Sequence, residues 1–120
     1  MTKYRLKRRF ILAEFVELEI DAGATFSTEI TVRENDGTPK NLSGHIVSSQ
    51  LRKSYYSTTA TDFDISITDA ANGTISMVLS AANTANLQAG RYVYDVELRY
   101  IGVVTRIFEG IVVVLPNVTR

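Results

Sequence analysis

Hydrophobic and polar residues alternate along several short stretches of this chain. The clearest is GRYVYDVELRY, from Gly90 to Tyr100. One side carries an apolar set, Tyr92, Tyr94, Val96, Leu98 and Tyr100, and the other carries Asp95, Glu97 and Arg99. Strict alternation is typical of a strand with one buried face, so we expect the apolar set to lie in a core.

Other stretches show the same period of two. They are residues 15–20, 25–33 and 44–52, followed by FDISIT and GTISMVLS, in which Ile75, Met77 and Leu79 share a face. In the first stretch Val16, Leu18 and Ile20 alternate with Glu17 and Glu19. Residues 10–20 also fit a 3.6-residue period, so a helix is the competing prediction there.

Turn signals rich in Gly, Asn and Asp separate these stretches at short intervals, as in an all-β sandwich. The sequence NDG predicts a hairpin-type turn. One short helical turn is expected near residues 81–87, with Ser80 as its N-cap and Gly90 as its left-handed terminator. The prediction is an antiparallel sandwich of about seven strands. It occupies residues 13–120 as a single domain, after a basic N-terminal arm at residues 1–12.

The last predicted strand, residues 104–115, is apolar on both faces from Ile111 onward. Such a strand lies either in a sheet covered on both sides or against a partner subunit. Gly110 inside it predicts a bulge or a close backbone approach. As partner contacts on this strand we expect Val104, Arg106, Phe108, Val112 and Val114.

Charge is balanced overall but uneven along the chain. There are 13 Lys and Arg residues against 13 Asp and Glu residues. The first ten residues hold five of these bases and no acid, which leaves eight bases against 13 acids, or about −5, in the remainder. A block of like charge at a terminus is typical of an interaction arm. The arm contacts are expected at Lys3, Arg5, Lys7, Arg8 and Arg9.

Residues that could carry chemistry are few. The absence of cysteine excludes disulfides, Cys-based zinc sites and thiol catalysis. His45 is the single histidine and has no motif around it, so packing at a sheet edge is expected. The spacing of Asp62 and Asp64 lacks the Gly and closing Glu of a calcium loop. We predict no catalytic residue, no cofactor, no metal site and no enzymatic activity.

Three motifs in the second half of the chain resemble a known family. They are GTI at residues 73–75, GRYVYDVE at residues 90–97, and the closing VTRIFEGIVVVLPNVTR. In the first half, GATF and DGTPKNLSG match more loosely. Together these motifs resemble small phage virion proteins with an immunoglobulin-like sandwich, related to the N-terminal domain of phage baseplate upper proteins.

The resemblance implies a structural component of a bacteriophage particle, in the tail, baseplate or fibre-attachment region. The alternatives are a capsid decoration (cement) protein or a neck or collar protein. A carbohydrate- or nucleic-acid-binding β-module is a further alternative, although the acidic body makes a nucleic-acid groove unexpected. The implied partners are other virion proteins in a multi-copy assembly or homo-oligomer, without a small-molecule substrate or a membrane. The implied location is the virion, assembled in the host cytoplasm.

Overall fold

Two β-sheets face each other in the computed structural model, which describes residues 13–118. The first sheet contains six strands: β1 (Glu14–Phe15), β2 (Leu18–Asp21), β4 (Ile46–Arg52), β5 (Thr61–Asp62), β8 (Gly90–Tyr100) and β9 (Val103–Leu115). The second contains β3 (Phe26–Thr31), β6 (Asp64–Asp69) and β7 (Thr74–Leu79). A short helix, α1 (Ala81–Ala85), connects β7 to β8. The predicted all-β sandwich with one helical turn is therefore confirmed.

Strand order in the first sheet runs from β1 and β2 through β9, β8 and β4 to β5, and in the second it is β3-β7-β6. The pairing is antiparallel except that β1 and β2 run parallel to β9. These two parallel pairs are a local departure from the predicted antiparallel sandwich. Phe63 separates β5 from β6 and is buried where the chain passes from one sheet to the other.

The expected seven strands become nine among residues 13–118. One reason is that β1 and β2 are two pieces of the stretch predicted at residues 15–20, interrupted at residues 16 and 17. Their register on β9 is continuous, since Glu14 pairs with Phe108 and Leu18 with Val112. Residues 16 and 17 therefore leave the regular strand geometry, but the register of the chain on β9 is the same before and after them. In its described part this stretch is extended, so the alternative of a helix is not observed there.

The core lies between the two sheets and follows the predicted alternation. Ile75, Met77 and Leu79 of β7 are all buried, as expected. In β8 the inward set is buried from Tyr92 to Leu98. Tyr100 was expected to join this set but is 44% exposed, because it lies at the end of β8 that leads into the β8–β9 turn.

Helix α1 begins as predicted, with the Ser80 hydroxyl oxygen accepting a bond from the Asn83 backbone N–H at 3.2 Å. The predicted terminator was wrong. The C-cap is Asn86 in a right-handed conformation, while Gly90 begins β8 with a φ of 140°. The hydroxyl of Tyr92 donates to the Gln88 carbonyl at 2.7 Å and fixes the segment between α1 and β8. This is the tyrosine corner of immunoglobulin-like sandwiches.

The predicted NDG turn forms, with the Gly37 N–H donating to the Glu34 carbonyl at 2.9 Å. The two strands around it do not pair as a hairpin. The bridge between Arg33 and Pro39 is isolated, after which β3 pairs with β7 and β4 with β8. The turn therefore lies in the connection from β3 in the second sheet to β4 in the first sheet, and the two strands contribute apolar side chains to the core from opposite sides.

Candidate protein–protein interface

Strand β9 was the predicted contact strand, and the structure divides its side chains between the core and the surface. Phe108, Val112 and Val114 are buried in the core of the domain itself, so their contact with a partner is corrected to core packing. Val104 is exposed, and the Arg106 side chain is about half exposed. For these two, partner contact stays a prediction.

The predicted close approach at Gly110 is confirmed, and it explains the interruption between β1 and β2. A Cβ atom at Gly110 would overlap the backbone carbonyl oxygen of Val16. That carbonyl accepts a bond of 2.6 Å from the hydroxyl of Tyr94, which pairs with Gly110 across β8 and β9. We call this arrangement of Gly110, Val16 and Tyr94 the latch. It attaches the first described strand to the middle of the sandwich.

The latch also changes the acidity of its tyrosine. Burial raises the pKa of Tyr94 to about 12, and the negative charge of Glu14 adds to the effect. Both causes disfavour the phenolate, so the hydroxyl stays protonated and can donate to the Val16 carbonyl.

The outer face of the first sheet is charged around Arg106. Its guanidinium lies 3.3 Å from the Asp95 carboxylate and 3.4 Å from that of Glu109. Next to it a shallow groove of about 810 Å³ crosses β4, β8 and β9, with Tyr55 among its lining residues. Gln50 and Asp62 are joined there by a 2.7 Å hydrogen bond. The groove walls are mostly polar, which suits a wet surface better than a closed ligand pocket.

The turn between β8 and β9 consists of two residues, Ile101 and Gly102, closed by the pair Tyr100 and Val103. Both central residues have positive φ, 47° and 76°, as in a type I′ turn. Gly tolerates this conformation, but a β-branched residue is strained in it by about 1–2 kcal/mol. Ile101 is nevertheless 82% exposed, so burial in this domain does not offset the strain.

Exposed apolar side chains surround this turn. We call this surface the tip patch and define it as Ile46, Tyr100, Ile101, Val103 and Val104. Arg99 lies within it, because its register partners are Ile46 on β4 and Val104 on β9. Within residues 13–118, the Arg99 side chain makes no ion pair or hydrogen bond. The patch is thus apolar and exposed, and it contains a cation without a described partner between Ile46 and Val104.

His45 supports the patch from one side. Its ring stacks on that of Tyr100, with centroids 4.4 Å apart and planes 16° apart. Its Nδ1 atom lies 3.2 Å from the Ser43 carbonyl oxygen. A cavity of about 550 Å³ opens beside this stack, with the apolar side chains Val32, Leu98, Ile107 and Phe108 among its lining residues. The position of His45 fits the predicted packing role at a sheet edge.

One edge of β9 at the tip patch has no strand beside it among the described residues. A bulge opposite Val96 and Glu97 inserts Ile107 into β9. In the described part of the chain, the pairing of β1 with β9 begins at Phe108, beyond this bulge. Residues 103–106 of β9 therefore pair with β8 on one side and with no described strand on the other. Such an edge can accept a strand from another protein.

The arm residues Lys3, Arg5, Lys7, Arg8 and Arg9 lie outside the described residues. Across residues 13–118, no cluster of three or more His, Asp or Glu side chains has the geometry to hold a metal ion. In the same range, no helix is long and apolar enough to span a membrane.

The sequence pattern did not predict the positive φ of Ile101 or the position of Arg99 between Ile46 and Val104. IG was a visible turn signal, but a positive φ at its isoleucine depends on a two-residue loop. The loop length follows from the pairing of Tyr100 with Val103, which the alternation did not fix. Ile is also not a residue that type I′ turns favour, so the sequence signal pointed away from this turn type.

No protein-family model and no curated protein matches the chain. Among solved structures, it is similar to the N-terminal domain of ORF48 from phage TP901-1, with 20% identity and a TM-score of 0.52 over 85% of this chain and 97% of that one. It is also similar to InlP from Listeria monocytogenes, with 17% identity and a TM-score of 0.49 over 85% of this chain and 26% of that one. The second TM-score is too low to support an argument. The first shows that the chain shares the fold of the phage domain.

Proposed function

We propose that the protein is a structural, non-enzymatic component of a bacteriophage particle. It acts through contacts with other virion proteins, in the tail, baseplate or fibre-attachment region. The observation that carries the proposal is the tip patch, where five exposed apolar side chains surround a two-residue turn. A contiguous apolar patch on a small domain is typical of an interaction surface.

The phage context has two independent supports. The motifs of the second half of the chain resemble small phage virion proteins, and the fold is shared with a domain of a phage TP901-1 protein. The geometry of the sandwich agrees with a subunit that is built for attachment. Its charged side chains are mostly exposed, and the shallow outer groove has polar walls.

Two surfaces take part in assembly in this proposal. One is the basic arm, through Lys3, Arg5, Lys7, Arg8 and Arg9. The other is the exposed part of β9, where Val104 and Arg106 remain available. Two modest contacts on one subunit reinforce each other, because the second forms at a high effective concentration once the first is made.

The test is to locate the chain in gradient-purified virions of the phage that encodes it, by cryo-electron microscopy and quantitative mass spectrometry. We expect several copies at a fixed position in the tail. Absence from purified virions would contradict the proposal. Specific retention of the purified protein on a glycan or oligonucleotide column at physiological salt would favour the alternative of a binding module.

The role of the arm is tested by a variant in which all five of its basic residues are replaced by Gln. We expect its thermal midpoint to stay within about 2 °C of the wild type, because in this proposal the arm contacts a partner and not its own domain. Incorporation into virions should fall at least tenfold. A control variant replaces three exposed bases of the body, Arg33, Lys53 and Arg91, by Gln and should be incorporated normally. Equal incorporation of both variants would show that the arm is not a contact.

A further inference from the structure

Ile101 combines two features that folding of this domain does not explain. It is strained, with a φ of 47°, and it is 82% exposed. Among the described residues it is the one non-glycine residue with a positive φ. Asn, Asp or Gly would fit this turn position without strain and would be better solvated. A large apolar side chain at the apex of an exposed turn gains free energy when another surface covers it.

The surroundings of Ile101 extend this contact. Val103 and Tyr100 lie on one side of the turn, and Val104 and Ile46 are the register partners of Arg99 on the other. All four are exposed by more than a third. Tyr100, Ile101 and Val103 also line the cavity beside His45. Ile101 lies at the apex of the two-residue turn between the strands, and a turn that is exposed at its apex can enter a recess.

We propose that the tip patch docks into an apolar recess of another virion protein that carries a carboxylate at the border facing Arg99. This proposal rests on the function proposed above and specifies its partner. Arg99 has no ion pair among residues 13–118, so the contact would leave its guanidinium desolvated unless the partner supplies an anion. A carboxylate that accepts two parallel hydrogen bonds from the guanidinium fits this requirement.

A second copy of the chain is a poorer occupant. A two-fold axis that passes close to Arg99 would oppose two guanidinium groups, and none of the five residues that define the tip patch is a carboxylate. Like charges opposed in an apolar contact are unfavourable. The observed charge therefore favours a partner with a different surface.

A lipid bilayer is a poorer occupant as well. Residues 103–106 of β9 have, among the described residues, no strand that pairs with their backbone groups on the side away from β8. In hydrocarbon these N–H and C=O groups would have no hydrogen-bond partners, which is costly. A protein recess can satisfy them with its own backbone or side chains.

The first experiment uses the full chain with Ile101→Asn. Asn fits the positive φ, so we expect the thermal midpoint to rise by about 2–5 °C, which also demonstrates that the variant is folded. Incorporation into virions should fall at least tenfold. The matched control is Tyr56→Asn, which removes an aromatic side chain that is 94% exposed and distant in sequence from the turn. The control should be incorporated like the wild type.

The second experiment identifies the occupant. A photo-crosslinking amino acid at position 101 is activated in purified virions, and the adduct is mapped by mass spectrometry. We expect an adduct with a different virion protein, at an apolar segment next to Asp or Glu. Arg99→Glu should lower incorporation at least tenfold, and Lys in place of the mapped carboxylate should restore it.

Several outcomes would overturn the proposal. They are normal incorporation of Ile101→Asn, an adduct with a second copy of this chain, an adduct with lipid, and no adduct at all. These outcomes differ from failure of the proposed function. If the wild-type chain is absent from virions, the function is wrong. If the wild type is present and Ile101→Asn is incorporated equally well, the function stands and the docking site is wrong.

Discussion

The two ends of β9 have different physical roles within one strand. Residues 110–114 pair with β8 on one side, residues 112–115 pair with β2 on the other, and Val112 and Val114 are buried in the core. Residues 103–106 pair with β8 but with no other described strand, and Val103 and Val104 are exposed. The first region fixes the fold, and the second offers a surface. The bulge at Ile107 separates them, because it is also where the pairing with β1 stops.

The comparison predicts that substitutions in the latch affect stability, while substitutions at the tip affect association with little loss of stability. The largest expected effect is that of Gly110→Ala. The added Cβ would overlap the Val16 carbonyl oxygen, which is backbone and cannot rotate away. We expect a loss of about 3 kcal/mol in the free energy of unfolding, measured by urea denaturation.

The matched control for this prediction is Gly37→Ala. A Cβ there meets nothing within 4 Å, although φ is 90°, so the cost is conformational strain of about 1–2 kcal/mol. Failure of Gly110→Ala to fold, while Gly37→Ala folds, would agree with the prediction. A loss below about 1 kcal/mol at Gly110 would show that the latch does not hold the strand.

The latch also illustrates the limit of sequence reasoning. The alternation in β8 predicted which face is buried, because successive side chains of a strand point to opposite faces of the sheet. Gly110 was noticed as a site of close approach, but its partner was not. The Tyr94 hydroxyl reaches a carbonyl 78 residues earlier in the chain, and no local pattern encodes such a contact.

The same limit explains the errors on the contact strand. Val112 and Val114 belong to an apolar run, and a run without alternation does not show which side faces the core. Phe108 lies before that run and directly after the bulge residue Ile107. The location of the bulge decides it, since Val96 pairs with Phe108 while Glu97 pairs with Arg106. The arm was visible from its charge, whereas the tip patch depends on strand register across β4, β8 and β9. Register is a tertiary property that charge and composition do not fix.

A smaller effect than that of Gly110→Ala is expected for Tyr94→Phe. The variant keeps the ring in the core but leaves the Val16 carbonyl without its 2.6 Å bond. We expect a loss of about 1–2 kcal/mol. Tyr92→Phe is the matched control, because it removes a bond of similar length to the Gln88 carbonyl. Hydrogen exchange of the Val16 amide, which donates to Glu109, should accelerate in Tyr94→Phe and not in Tyr92→Phe. Equal exchange in the two variants would contradict the latch.

Tyr94 also predicts a dependence of stability on pH. Its pKa is about 12 in the folded protein against 10.0 for an ordinary tyrosine. The protonated phenol is therefore favoured by folding, and its contribution is fully present below pH 10. It is lost as the pH rises from 10 to 12, because the unfolded chain ionises first. Wild-type stability should fall more steeply than that of Tyr94→Phe over this interval in urea titrations. Parallel curves would show that this tyrosine titrates normally.

The smallest expected effect is that of Arg106→Gln, on the exposed side of β9. Its two ion pairs, with Asp95 and Glu109, are partly exposed to solvent, so their loss should cost no more than about 0.5–1 kcal/mol. The difference from the wild type should shrink further in 1 M NaCl, since salt screens exposed charges. Urea denaturation at low and high salt measures both quantities, and Arg33→Gln, which loses one exposed bond to the Gly37 carbonyl, is the control. A loss above about 2 kcal/mol that persists in high salt would show that Arg106 stabilises the fold as the latch residues do. The division of β9 into a structural end and a binding end would then be wrong.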